Sequence, residues 1–152
     1  MATPYSEIFN QFLIAVQDYD LLDQGQEFAE KQLIRLMTRT IADCKNMILN
    51  SDTKLDLTKR DDELKEFEED LGDEEIELLV TGMEYFWWHP KLQNSENMYN
   101  ALNTRDFSLY APQNLIFRQR ENTESAQDRW LQCKRAYIAR HLNIATMGGF
   151  LR

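Results

Sequence analysis

Only three prolines and five glycines occur in 152 residues, so the chain has few breaks and few tight turns. An all-β fold needs many of both and is excluded on that ground, while long helices are favoured. Cysteine is as scarce. Cys44 and Cys133 lie far apart, each within a helical pattern. They read as small buried hydrophobes or free thiols of a reducing compartment, not as a disulfide framework or a metal site. No run approaches the roughly 18 apolar residues of a membrane-spanning helix. The opening "MATPYSEIF" lacks a basic segment followed by an apolar one, which argues against a signal peptide and for folding inside a cell. The two histidines, His89 and His141, have no neighbour at metal-ligand spacing. Glycine-rich phosphate loops and nucleophile elbows are missing too. The expectation is a protein with no cofactor, no metal and no catalytic residues.

What the chain does have is enough apolar material for a core. Hydrophobic residues make up 43% and aromatics 11%, which sets it apart from disordered chains. The length suits one domain. The formal charge of −9 is unevenly placed. Residues 56–77 alone carry a net −9, residues 1–55 carry −3 and residues 78–152 carry +3. Nucleic-acid binders cluster Lys and Arg, so general nucleic-acid binding is disfavoured. Clustered, solvated carboxylates also lack the two contrasting environments that an acid–base pair needs.

The pattern predicts four to five helices. In "YSEIFNQFLIAVQDYDLL" Ser6 is a candidate cap, and Ile8, Phe9, Phe12, Leu13 and Val16 recur at helical spacing, with an end near Gly25. In residues 26–49, Phe28, Leu33, Leu36, Met37, Ile41, Cys44 and Ile48 form a stripe. Glu27, Lys31 and Arg35 follow one another at four-residue spacing, so the outer face is read as charged with mixed sign. The acidic stretch from Thr53 onward holds Leu64, Phe67 and Leu71 at i, i+3, i+7. It is read as a solvated loop with a helical turn, with an acidic partner face as the alternative. The spacing does not suit a calcium loop. Asp61, Asp62, Glu66, Glu68, Glu69 and Asp70 are its candidate channel or partner residues.

Asp73 is a candidate cap for a helix through "EEIELLVTGMEYFWWHP". Ile76, Leu79, Val80, Met83, Phe86 and Trp87 form one stripe, and Leu78, Tyr85 and Trp88 lie off it. A helix apolar around its circumference is central in a bundle. Gly82 would let a neighbouring helix cross closely. Pro90 is expected to end the helix at Trp88 or His89. The aromatic run is read as core, with Tyr85 and Trp88 as candidate subunit-contact residues. A short helix around "SENMYNAL" and a turn at "NTRD" would follow.

From Pro112 onward one long helix is predicted. Ala126, Trp130, Cys133, Tyr137 and His141 form its stripe, with a bend or exposed middle at "RENTES". Continuous from 112 to 142, it would be about 45 Å long, too long for a domain of about 15 Å radius of gyration to enclose. The expected organisation is therefore an all-α helical bundle at 1–142, with a long C-terminal helix and an extended tail at 143–152. Met147, Gly148, Gly149, Phe150, Leu151 and Arg152 are candidate partner-binding residues of that tail.

Three segments together carry a resemblance: "DYDLL" at 18–22, "KRDDELKEFEEDLGDEEIELLVTGMEYFWWHP" at 59–90, and "RDFSLYAPQNL" at 105–115. Within them stand Arg60-Asp61-Asp62, the run Leu71 to Leu78, Met83, the aromatics Phe86 to Trp88, Asp106-Phe107 and Tyr110. The chain resembles head–tail connector (adaptor, or neck-ring) proteins of tailed bacteriophages. What the resemblance implies is a non-enzymatic virion protein made in the host cytoplasm. It would form a homo-oligomeric ring, commonly of about twelve copies, beneath the portal protein. The ring would extend the DNA channel without binding DNA specifically, and would offer a platform to the next neck or tail component. No membrane is implied. Some relatives of this kind dock a C-terminal tail on the portal, which is the basis for tying residues 143–152 to it. The other reading, from charge alone, is a soluble acidic helical interaction module such as a regulator or inhibitor.

Overall fold

The computed structural model describes residues 2–16, 25–102 and 110–141, and the side chains within 2–16, 25–94 and 116–141. The segments "DYDLL" and "NTRD" and the C-terminal tail, including Met147 to Arg152, lie outside the described residues. Among the described residues, four helices form the bundle: α1 (Tyr5–Val16), α2 (Gln26–Leu49), α3 (Asp73–Leu102) and α4 (Tyr110–Arg140). α3 is the central element, contacting α1, α2 and, most extensively, α4.

The periodic apolar residues explain the packing. Ile8, Phe9 and Phe12 of α1 meet Leu33, Met37, Ile41, Cys44 and Ile48 of α2 in one buried core with Ile76, Leu79, Val80 and Met83 of α3. Leu78 lies off the α3 stripe and is buried as well, as a helix enclosed on several sides requires. Gly82 marks a close crossing. A Cβ added there would overlap the Thr40 methyl of α2 and come within 2.9 Å of Trp130 Nε1 of α4. Gly25 starts α2 with φ of 99°, and its carbonyl accepts the Ala29 amide. That backbone suits glycine and few other residues.

Several expectations need correction. Pro90 does not end α3, which runs on to Leu102 and joins the "SENMYNAL" segment into the same helix. Proline costs about 3 kcal/mol in a helix interior. Here it sits on the exposed side, and the long packing of α3 against α4 offsets the loss. Ser6 and Asp73 lie inside their helices, not before them. The Gly72 carbonyl accepts the Ile76 amide and opens α3. Phe28 is not in the α2 stripe. It is 43% exposed, because a residue nine positions before Met37 points to the opposite side of a helix that turns 100° per residue.

The acidic stretch holds no helical turn of the predicted kind. It forms a small antiparallel sheet, strand order β1-β3-β2, from β1 (Thr3–Pro4), β2 (Arg60–Asp61) and β3 (Glu66–Phe67). Thr3 pairs with Phe67 and Phe67 with Arg60. Alternation along β3 turns Phe67 inward and Glu66 and Glu68 away. Phe67 is 1% exposed and meets the Tyr5 ring edge-on at 5.2 Å. Leu64 is 69% exposed at the hairpin tip.

Candidate interaction surfaces

The aromatic run "EYFWWHPKL" lies inside the chain's own packing. Phe86 meets Trp130 edge-on at 5.1 Å, and Tyr85 stacks on Trp130 at 5.4 Å. Trp87 meets Phe12 of α1 at 6.3 Å, nearly perpendicular. The Arg39 guanidinium of α2 sits 4.7 Å from the Phe86 ring, and the Lys91 ammonium 4.2 Å from Trp87. One turn of α3 thus joins all three other helices. Tyr85 is tied to Trp130, while Trp88 is half-buried with Lys91 5.7 Å from its ring. The indole N–H groups of Trp87 and Trp130 are buried without an acceptor. Such groups are costly, so apolar packing prevails over hydrogen bonding at this crossing.

A polar cluster closes the other end of the bundle, where the turn after α2, the start of α3 and the end of α4 meet. The Tyr137 hydroxyl donates to the Glu75 carboxylate at 3.0 Å. Thr53 Oγ1 lies 2.9 Å from the same hydroxyl, and Ser51 Oγ lies 2.6 Å from Thr53. Each hydroxyl has one proton, and Ser51 Oγ also donates to the Ile48 carbonyl, so three protons are shared among four contacts from Ile48 to Glu75. Burial is the main reason the Tyr137 hydroxyl titrates above its ordinary range. Beside it, His141 Nδ1 lies 2.8 Å from Asp52 Oδ1, and Nε2 contacts Glu74 Oε2. Both ring nitrogens can donate only in the imidazolium form. The Glu74 hydrogen bond, with help from Asp52, raises the His141 pKa above 6.5. The same bond holds Glu74 below its ordinary value, and Arg140 adds to it at 3.1 Å. The i, i+4 step from Tyr137 to His141 in the sequence pointed to this end of α4. Nothing in it pointed to Asp52 or Glu74.

A groove of about 270 Å³ between α3 and α4 borders this cluster, lined in part by Glu74, Glu77, Arg129, Cys133, Tyr137 and Arg140. Its charges are largely matched. Arg129 pairs with the buried Glu84 at 2.9 Å, and Arg140 with Glu74. Burial raises the Cys133 thiol and pushes Cys44 up to about 12, the opposite of nucleophile activation. Among the described residues, no group of three His, Cys, Asp or Glu side chains is arranged to hold a metal ion. None of their helices is long and apolar enough to cross a membrane.

The six candidate acidic residues all fall on or beside the β2–β3 hairpin, but with different duties. Asp61 accepts the Glu63 and Leu64 amides at 2.9 and 3.1 Å, which shapes the turn. Asp62 accepts the Tyr5 hydroxyl at 2.8 Å, Glu69 the Asp56 amide at 3.2 Å, and Asp70 the Thr3 hydroxyl at 3.4 Å. The side-chain carboxylates of Glu63, Glu66 and Glu68 have no hydrogen-bond or ion-pair partner among the described residues. Against protein-family models, curated proteins and solved structures, the chain gives no significant match.

Proposed function

We propose that this protein is a head–tail connector of a tailed bacteriophage, a non-enzymatic ring component that joins the portal to the next neck or tail protein. The observation that supports this best is the reach of the α3–α4 pair. Among the described side chains, the buried apolar residues reach Met83 on α3, with Trp87 packed against them, and Ala126 on α4, and both helices run on, through Leu102 and from Tyr110. At about 1.5 Å per residue each helix continues about 20 Å beyond Trp87 or Ala126. A subunit that must touch neighbours above and beside it needs such an arm.

On this reading the chain forms a ring of about twelve copies on the portal. DNA passes through without specific contacts, and Met147 to Arg152 dock on the portal. The half-buried Trp88 lies just past the core, where a neighbouring subunit would cover it. The second reading, an acidic interaction module outside a virion, draws on the hairpin carboxylates alone.

The test is native mass spectrometry of the chain co-expressed with the portal protein of its own genome. Many copies bound per portal ring are expected, with loss of binding on deleting residues 147–152. A bare portal beside folded chain would overturn the connector reading.

A further inference from the structure

Among the described residues, the outer face of α2 is met by another helix at its C-terminal side, where the Arg39 guanidinium lies 4.7 Å from the Phe86 ring of α3. Phe28, Lys31, Arg35 and Arg39 follow one another at three- and four-residue steps, and all are exposed. They span an arc of about 80°, opposite the buried Leu33, Met37, Ile41 and Cys44. The sequence suggests mixed charge here, but the fold gives two of the helix's three acids, Glu30 and Asp43, partners on other elements and leaves Glu27 on the stripe's own Lys31. Glu27 pairs with Lys31 at 3.6 Å, Glu30 with Lys65 at 2.6 Å, and Asp43 with Lys134 at 3.2 Å. Arg35 pairs with no carboxylate among the described residues. The centre of the face is a basic stripe with an exposed phenylalanine at one end.

The hairpin has the converse arrangement. Its two bases turn toward its own α2. Lys65 reaches Glu30, and Arg60 donates to Thr38 Oγ1 at 3.1 Å. The Glu63 and Glu68 carboxylates are exposed and unpaired among the described residues, and Leu64 on the same hairpin is 69% exposed. The chain cannot neutralise itself by folding the hairpin over the stripe. β3 is fixed by its ladder to β1, by buried Phe67 and by the Tyr5–Asp62 hydrogen bond.

We infer that the basic stripe of α2 is a docking site for the acidic β2–β3 hairpin of a second copy of this chain. Charge complementarity names the occupant. Each copy exposes one acidic knob with an apolar tip and one basic strip with an apolar end, in equal number. The two patches are different surfaces, so the contact is head-to-tail, and such contacts close into rings when the rotation allows. Of the two expectations for the acidic stretch, this adopts the partner face over the channel lining. It specifies the subunit contact of the proposed ring and to that extent rests on the connector reading.

The test uses the full chain in sedimentation velocity and native mass spectrometry at physiological salt, with folding checked by circular dichroism. One variant carries Arg35→Glu and Arg39→Glu. The other carries Glu63→Lys and Glu68→Lys. All four residues are exposed, and only Arg39 gives up a contact inside the chain, its cation–π contact with Phe86, so both variants are expected to fold. Each alone should associate at least about tenfold more weakly than the unmodified chain. Their equimolar mixture should recover association, with the two variants alternating at one to one. A control with Glu121→Lys and Glu124→Lys on α4 carries the same charge change elsewhere and, keeping both patches, should associate like the unmodified chain.

An unmodified chain that stays monomeric at millimolar concentration would overturn the inference. So would a mixture that associates no better than either variant alone, or a control as weakened as the two variants. Retention of a DNA duplex that is lost with Arg35→Glu and Arg39→Glu, without self-association, would assign the stripe to phosphates instead. Portal binding is read separately. Portal binding without rescue in the mixture removes this contact and leaves the connector reading. Rescue without portal binding does the reverse.

Discussion

The α3–α4 pair at its base and the β2–β3 hairpin are held in opposite ways. The helix pair is fixed by area. Gly82 admits Thr40 and Trp130 to close approach, and aromatic rings from three helices pack nearby. The hairpin is fixed by one buried ring and a few side-chain hydrogen bonds to Thr3, Tyr5 and Asp56. A packed interface resists changes of size. A pinned hairpin tolerates most changes and fails at its pin.

The sharpest way to break this contrast is within the hairpin itself. Phe67→Ala should cost about 3–5 kcal/mol and release the amide-exchange protection of β2 and β3. Leu64→Ala, three residues away and exposed, should stay within about 0.5 kcal/mol. Urea denaturation measures both, and similar losses at the two sites would remove the single-pin picture.

Next in size is Gly82→Val. The added atoms meet Thr40, whose hydroxyl is bonded to the Leu36 carbonyl, and the rigid Trp130 ring. Overpacking of this kind costs about 3 kcal/mol, against a gain of under about 1 kcal/mol in helix propensity from replacing glycine. A variant as stable as the parent would mean that the helices part easily there.

Tyr137→Phe tests the polar end of the pair. Glu75 is buried and would lose its hydroxyl donor, a loss of about 1–3 kcal/mol. Calorimetry should show a lowered melting temperature without a change of helix content.

The smallest effect is a dependence on pH. His141 is raised in the folded chain, so its contribution is full below its ordinary value of 6.5 and fades as pH climbs through the raised value. Glu74 is lowered, so its contribution is full above 4.5 and is lost as pH falls through the lowered value. The pair therefore contributes most between pH 4.5 and 6.5. In His141→Gln the alkaline fall in stability above pH 6.5 should flatten. A fall identical to that of the parent would assign it to other groups.

Much of this was legible before any coordinates. The spacing of Leu33, Met37, Ile41, Cys44 and Ile48, the all-round apolarity of α3, the close crossing at Gly82 and the stripe from Ala126 to His141 are local periodicities. A helix repeats every 3.6 residues whatever surrounds it, so these elements determine themselves. The sequence by itself also placed the acids of residues 56–77 together. What only the tertiary structure decided concerns partners distant along the chain. β1 and β3 are paired across more than sixty residues of sequence, and Phe67 becomes buried through that pairing and not through a helical stripe. Pro90 is carried inside α3 because α4 packs beside it. Glu30 and Asp43 are neutralised by Lys65 and Lys134, which leaves Arg35 and Arg39 as a basic face that a count of charges along α2 conceals. Periodicity describes one element at a time, whereas charge balance and burial depend on which elements meet.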